Sequence, residues 1–344
     1  MMPAVMKWWR GRSRRAKGRL VFYPAVVAVV VGFLLFTMVM PGRSHHGPLP
    51  ELGPEREKLA ARLRTDVTLL VGESGDRSQR SAGTLDRAGA MIEGSLRDDG
   101  FVVTRLPYAS DGVTVFNLEA FLAGGARAKE VVIIGAHYDT AAGGPGADDN
   151  ASGVASMLAI ARALAAEKYA PSRSVRFVAF VNEEPPFFWN EGMGSLVYAK
   201  ACKAHGDAIV AMLSLETLGY YRDAPGTQKY PPIVSWFYPD RGDFVAFVGN
   251  LGSRSLVHRA IATFRGAASF PSEGAAMPSF VTGIGWSDQW SFWQVGYPGI
   301  MVTDTAPFRN PHYHQHGDTP DTLDYARLAR VTEGLVAVVK SLAE

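Results

Sequence analysis

The sequence predicts an α/β fold, a largely parallel central sheet with helices on both faces, preceded by one apolar N-terminal helix. Three observations carry that expectation. From Glu130 onward, short apolar runs alternate with stretches of helical periodicity, the pattern of a parallel sheet covered on two sides. The stretch Leu20 to Gly42, LVFYPAVVAVVVGFLLFTMVMPG, carries no charged side chain. Acids and histidines follow directly behind the apolar runs, where a parallel sheet gathers the carboxyl ends of its strands.

Lys7, Arg10, Arg12, Arg14, Arg15, Lys17 and Arg19 crowd the first nineteen residues, so 1–19 is expected to be a basic cytoplasmic tail. Residues 20–42, as a helix rising about 1.5 Å per residue, span a ~30 Å hydrocarbon core. The cationic flank stays in the cytoplasm, which places everything after Gly42 outside it, periplasmic or extracellular. A cleaved signal peptide is the competing reading, but the run exceeds a usual h-region and no A-x-A site follows it.

Composition narrows the classes further. With 344 residues, 47% hydrophobic and 20% charged, the chain buries a sizeable core and is not disordered. The net charge of +2 arises from the N-terminal cluster; the remainder is acidic, with no basic stripe interleaved with aromatics. No nucleic-acid partner is expected. Cys202 stands alone, which excludes an internal disulfide, and it reads as a small packed hydrophobe.

Residues 43–54, RSHHGPLPELGP, suit a linker in which His45 and His46 are solvated. A domain over 55–344 follows. A helix is predicted over 55–70, then a helix end and two strands in GSLRDDGFVVTRLPY and VTVFNLEAFLAG. The strand EVVIIGAH leads into a helix with Val154, Met157, Leu158, Ala161 and Leu164 on one face. SVRFVAFV precedes NEE, AIVAMLSLE ends at Glu216, and GIMVTDTA precedes a histidine-rich loop. An amphipathic helix closes the chain.

The strand ends thus carry His137 and Asp139, then Glu183 and Glu184, then Glu216. Imidazole and carboxylate donors suit Zn²⁺ or a related divalent ion, and a closely spaced metal pair needs a bridging carboxylate, for which Asp148 or Asp149 is available. Adjacent carboxylates repel, so a buried site favours giving one of Glu183 and Glu184 to a cation and leaving the other as a base. A lone Glu-Glu pair is ordinarily an exposed turn; its place behind an apolar strand, with the other donors, points to a site.

GAHYDT, GADDNASG, NEE, SLETLGYY and HYHQHGDTPDTLDY occur in one order. Over roughly residues 60–344 the chain resembles the zinc exopeptidase family of the bacterial leucyl-type and Streptomyces-type aminopeptidases, with glutamate carboxypeptidase II and glutaminyl cyclase as relatives. The resemblance implies a three-layer α/β/α fold, a mixed, mostly parallel sheet, and two zinc ions per chain. Carried over residue by residue, it makes His137 a ligand and Asp139 the carboxylate that orients it. Asp149 becomes the bridging ligand, joined to Asn150 by a cis peptide. Glu183 becomes the general base, Glu184 a ligand to the other metal, and His314, four residues before Asp318, the last ligand. Glu216 stands where the aminopeptidases place Asp. It is kept as a ligand, and the departure leaves one or two metals open.

His312 and His316 are expected to be solvated or to support His314, and Asp288 to have a structural role near the site. Asn150 in NAS is not read as a glycosylation site, because it falls in the ligand loop. Phe187, Phe188 and Trp189 are expected to wall an apolar pocket. The implied activity is removal of N-terminal residues from peptides with a free amino end, with the membrane as a second partner through 20–42. Nothing in the pattern fixes the oligomeric state. Alternatives are a single-zinc glutaminyl cyclase, a carboxypeptidase with a cationic anchor, and a non-catalytic binding ectodomain.

Overall fold

The computed structural model describes residues 13–344 apart from Glu73, Ser74, Pro232 and Ile233. Lys7, Arg10 and Arg12 of the basic cluster lie outside the described residues. The apolar segment forms α1, Arg14–Met38, and among the described residues it is the one helix long and apolar enough to cross a membrane. It starts ahead of the apolar run because the Ser13 hydroxyl caps it, accepting from the Ala16 N–H at 3.2 Å. It ends short of Gly42 because Met40 precedes Pro41, whose ring disfavours helical backbone in the residue before it.

The remaining residues build one eight-stranded sheet. Helix α2, Gly53–Val71, starts two residues earlier than predicted, with Pro54 in its first turn, where its missing N–H costs nothing. Helix α3, Ala82–Asp98, leads into β1, Val103–Ser110, and β2, Val113–Leu122. Asp111 and Gly112 join the two strands, with φ of 49° and 78°, the left-handed pair that a two-residue hairpin turn needs. Then come β3, Arg127–His137; α4, Gly153–Ala166; β4, Arg173–Phe180; α5, Gly194–His205; and β5, Ala208–Glu216. The chain closes with β6, Val245–Asn250; α6, Arg254–Ala267; β7, Ser272–Met277; α7, Gln289–Gln294; β8, Gly299–Thr303; α8, Ala306–Arg309; and α9, Tyr325–Ala343.

The strand order is β1-β2-β4-β3-β5-β8-β6-β7. The central four, β4, β3, β5 and β8, are mutually parallel, whereas β2 meets β4 and β6 meets β8 antiparallel. The sheet is therefore mixed and mostly parallel. Every residue of β3 from Val131 to His137 is buried, as a strand covered on both faces requires. Its alternate side chains feed two cores: Val132, Ile134 and Ala136 join the helices α2, α3, α4, α6 and α9, while Val131 and Ile133 join Phe180, Tyr198, Cys202 and Phe292. Cys202 is packed there as expected.

Strands β6 and β7 were not predicted. SEGAAM has neither β-branched residues nor alternation, and it holds its place by pairing with β6 from Val245↔Ser272 to Asn250↔Met277. Tertiary pairing outweighs local propensity here.

Candidate metal centre

The register sets the site. His137 is the last residue of β3 and lies opposite Phe180, the last of β4; Glu216 ends β5 opposite Thr303, which ends β8. Three parallel strands thus deliver His137, the Asn182–Glu184 turn and Glu216 to one edge. The fourth contribution, Asp149, comes from the turn Ala147–Ser152 in front of α4, where the Asp149–Asn150 peptide is cis. Asn150, fully buried, ties that turn to β5: its amide donates to Leu215 O at 2.8 Å, and its carbonyl accepts from Gly153 N and Thr217 N. A Cβ on Gly153 would come within 2.4 Å of Asn150 Oδ1 and Leu215 O, so the turn packs this closely only with glycine there. Such an engaged asparagine is no glycan acceptor.

Asp149 faces two donor sets with different oxygens. Its Oδ1 lies 3.2 Å from His137 Nε2, which is 3.2 Å from Glu216 Oε2. Its Oδ2 lies 3.2 Å from His314 Nε2, which is 3.2 Å from Glu184 Oε2. Within each set, His137–Asp149–Glu216 and Asp149–Glu184–His314, the donor atoms are all within 4.8 Å of one another. Donors at about 2.0 Å from a tetrahedral zinc stand about 3.3 Å apart. Both sets match that spacing.

Charge and hydrogen bonding agree with the geometry. His137 Nε2, Asp149 Oδ1 and Glu184 Oε1 are buried without a hydrogen-bond partner among the described residues, an arrangement that costs free energy unless a cation is shared between them. Asp139, Asp149, Glu183, Glu184 and Glu216, all buried, face two imidazoles. Burial alone would lower the His137 imidazole, but Glu216 and Glu183 outweigh it and hold it well above its ordinary value. Burial likewise opposes a charged His314, yet Asp149 and Glu184 raise it to about 10. Burial and then Asp149 push Glu184 up to about 7. Negative charge is in excess, and divalent cations are what would balance it.

Asp139 acts on both sets. Its Oδ1 accepts from Glu183 N at 3.1 Å and stands 3.5 Å from His137 Nδ1, while its Oδ2 accepts from Glu184 N at 3.2 Å. Glu183 Oε2 stands 3.9 Å from His137 Nε2. Ser287 donates to Glu216 Oε2 at 2.6 Å, holding the longer side chain of this position in place. His312 packs edge-on against Tyr220, and His316 is exposed; neither belongs to a donor set. Asp288 is fully buried, and burial pushes its carboxyl up to about 7 against the pull of His137.

Residues 117–339 match the model of peptidase family M28. The chain belongs to peptidase family M28. It is 36% identical to the uncharacterized protein YfbL of Escherichia coli (strain K12) over 317 residues, 89% of this chain and 96% of that one. Its fold is similar to the LapA aminopeptidase of Legionella pneumophila, with a TM-score of 0.67 at 18% identity over 87% of this chain and 77% of that one. A glutaminyl cyclase from Bacteroides thetaiotaomicron has a TM-score of 0.61 at 17% identity, over 85% and 99%. These likenesses show the zinc exopeptidase-like fold that the motifs implied.

Two supports of this M28 site escaped the sequence. Arg77, fully buried, donates to Tyr138 O, Pro145 O and Gly146 O at 2.7–2.8 Å and so clamps the loop that carries Asp139. Asp318 accepts from the N–H groups of Asp148 and Asp149. A lone arginine in GESGDRSQR gives no signal; Asp318 stood in a motif whose reason was hidden.

Of the expected aromatic wall, Phe187 keeps its place beside Glu184 and the stacked Phe188 and Trp189 do not join it. Pro185 and Pro186 are exposed and carry the chain away behind Glu184. Phe187 lines a cleft beside Glu184, but Phe188 and Trp189 stack on each other and Trp189 on Trp290. An apolar pocket of about 110 Å³ lies beside Glu216 and is lined by Phe244, Met277, Ile284, Trp286 and Phe308.

Proposed function

We propose that the chain is a membrane-anchored, two-zinc aminopeptidase that removes N-terminal residues from peptides. The observation that supports this most is Asp149, whose two oxygens each face a separate histidine–glutamate pair at 3.2 Å. His137, Asp149 and Glu216 would hold one ion, and Asp149, Glu184 and His314 the other. Zinc bound there would supply a Lewis acid for the scissile carbonyl and a more acidic water.

The chain's own residues do the rest. Glu183, beside both sets, is placed to take a proton from the attacking water at its carboxylate and return it to the leaving amine as the C–N bond breaks. Asp139 orients His137 through Nδ1 and fixes the backbone of Glu183 and Glu184. The apolar pocket that begins at Glu216 receives the side chain of the first residue. Helix α1, with Arg14, Arg15, Lys17 and Arg19 at its cytoplasmic end, keeps the catalytic domain outside the cytoplasm.

The test is a panel of aminoacyl, Gln-initiated and N-terminally blocked peptides offered to the full chain in detergent, with and without chelator, beside elemental analysis. Hydrolysis from the free amino end, lost on chelation and restored by zinc at two ions per chain, is expected. Ammonia release from Gln-initiated peptides at one zinc per chain would establish a cyclase instead, and zinc binding without turnover a binding domain.

A further inference from the structure

The apolar pocket contains one polar group whose role the metal centre does not explain. Glu273, on the edge strand β7, lines it together with Ala275 and Met277 of the same strand face. Its register is informative. Glu216 pairs with Thr303, Thr303 with Ala246, and Ala246 with Glu273, so these four form one row across β5, β8, β6 and β7. All four line the pocket. Directly paired residues project to the same face of a sheet, and three strand spacings put Glu273 about 14 Å from Glu216 between Cα atoms. One end of the row is a metal-site carboxylate and the other is Glu273.

Three other polar side chains of the wall, Tyr230, Tyr238 and Gln228, are committed. The Tyr230 and Tyr238 hydroxyls donate to Pro239 O and Gly274 O, and the Gln228 amide donates to Lys229 O and Thr305 Oγ1. Arg265, the nearest cation felt by Glu273, donates instead to Ser272 Oγ, Ser272 O and Pro41 O. The Glu273 carboxylate has no hydrogen bond or ion pair among the described residues. Burial pushes it up to about 7, with Arg265 pulling down and Asp243 pushing further up. The carboxylate is half-buried and, among the described residues, free of protein partners, so a cationic side chain entering the pocket would meet it in a charge-assisted hydrogen bond.

We infer that Glu273 selects substrates whose first residue is basic, lysine or arginine, by meeting the cationic end of a side chain that enters the pocket from the metal centre. This rests on the aminopeptidase reading above. An extended lysyl side chain reaches roughly 6 Å from Cα to Nζ, five bonds of about 1.5 Å at tetrahedral angles, which suits a span bounded by two glutamates 14 Å apart at the backbone. Its methylenes pack on the apolar wall while the ammonium reaches the carboxylate. Leucine fills part of the pocket and leaves Glu273 unpaired.

The test compares lysyl, arginyl and norleucyl substrates on the full chain in detergent, for the native protein and Glu273→Gln. Norleucine keeps the aliphatic stem and removes the charge. The native ratio of kcat/KM for lysyl over norleucyl substrate is expected to be about 10- to 100-fold, the scale of a hydrogen bond to a charged group, and to collapse toward unity in Glu273→Gln. Calorimetric titration of the zinc-loaded native chain with L-lysine and with L-norleucine reads the pocket without turnover, and lysine is expected to bind at least tenfold tighter. Equal turnover and equal binding of the two would overturn the role of Glu273 while leaving the aminopeptidase reading intact. Absence of turnover with all substrates, beside preferential lysine binding, would overturn only the latter.

Discussion

Replacing Arg77 with Met tests whether the ligand loop is held by this one buried guanidinium. Arg77 donates to Tyr138 O at 2.8 Å, Pro145 O at 2.7 Å and Gly146 O at 2.8 Å, and its backbone N–H donates to Thr140 Oγ1 at 3.0 Å. The substitution keeps an unbranched apolar stem but leaves the Tyr138 and Pro145 carbonyls without donors, while Gly146 O retains the Ala151 N–H at 3.1 Å. Each hydrogen bond to a charged group contributes about 1.5–3 kcal/mol net, and partial relaxation of the loop limits the sum. Arg77 also offsets the negative charge of Asp318, Asp139 and Asp149. A loss of about 3–5 kcal/mol is therefore expected, the range for removing one partner from a buried charged set. Urea denaturation of the chelated chain measures it, chelator being present so that metal binding does not mask the loss. Because the clamped loop positions Asp139 and leads into Asp149, zinc affinity in a competition titration should fall about 10- to 100-fold. Arg77→Lys, which keeps the charge but not the planar fork, should fall between. A change below about 1 kcal/mol with native zinc affinity would refute the clamp.

Four further outcomes follow from the centre. Glu183→Gln should keep both zinc ions by elemental analysis while kcat falls about 10²- to 10⁴-fold, the usual contribution of a general base; near-native turnover would remove Glu183 from that role. Asp149→Asn should reduce zinc below one ion per chain at low free metal, since both sets use this carboxylate, whereas loss of a single ion would mean it serves one set. In the metal-free chain, His314 is raised from 6.5 to about 10, so its stabilisation is complete below pH 6.5 and lost as pH rises toward 10. Glu184, raised from 4.5 to about 7, gives stability that is present below pH 4.5 and lost as pH rises through 7. Both act in one direction: with chelator, Tm should fall from pH 5 to pH 9, and zinc should reverse the trend by favouring deprotonated ligands. A metal-free Tm that rises over this window would contradict the arrangement.

Much of the centre was legible because its donors sit at the ends of apolar strands. EVVIIGAH must be buried on both faces, so the polar residue that ends it has no reason to be there except a site, and the same holds for Glu216. Glu183 and Glu184 became readable through NEE, and His314 through its distance from Asp318. What stayed hidden depends on pairing across the sheet. Glu273 sits in SEGAAM, which carries no strand signal, and only the register with β6 puts it in a row with Glu216. The misplaced aromatic wall has a similar cause: proximity in sequence to Glu184 says nothing about direction once two prolines intervene.

Asp139 joins elements that would otherwise be separable. A single side chain caps the backbone of Glu183 and of Glu184, a member of one donor set, while standing 3.5 Å from Nδ1 of His137, a member of the other. The centre is therefore geared: shifting one member through this carboxylate displaces its counterparts, so neither donor set can drift, or be redesigned, on its own.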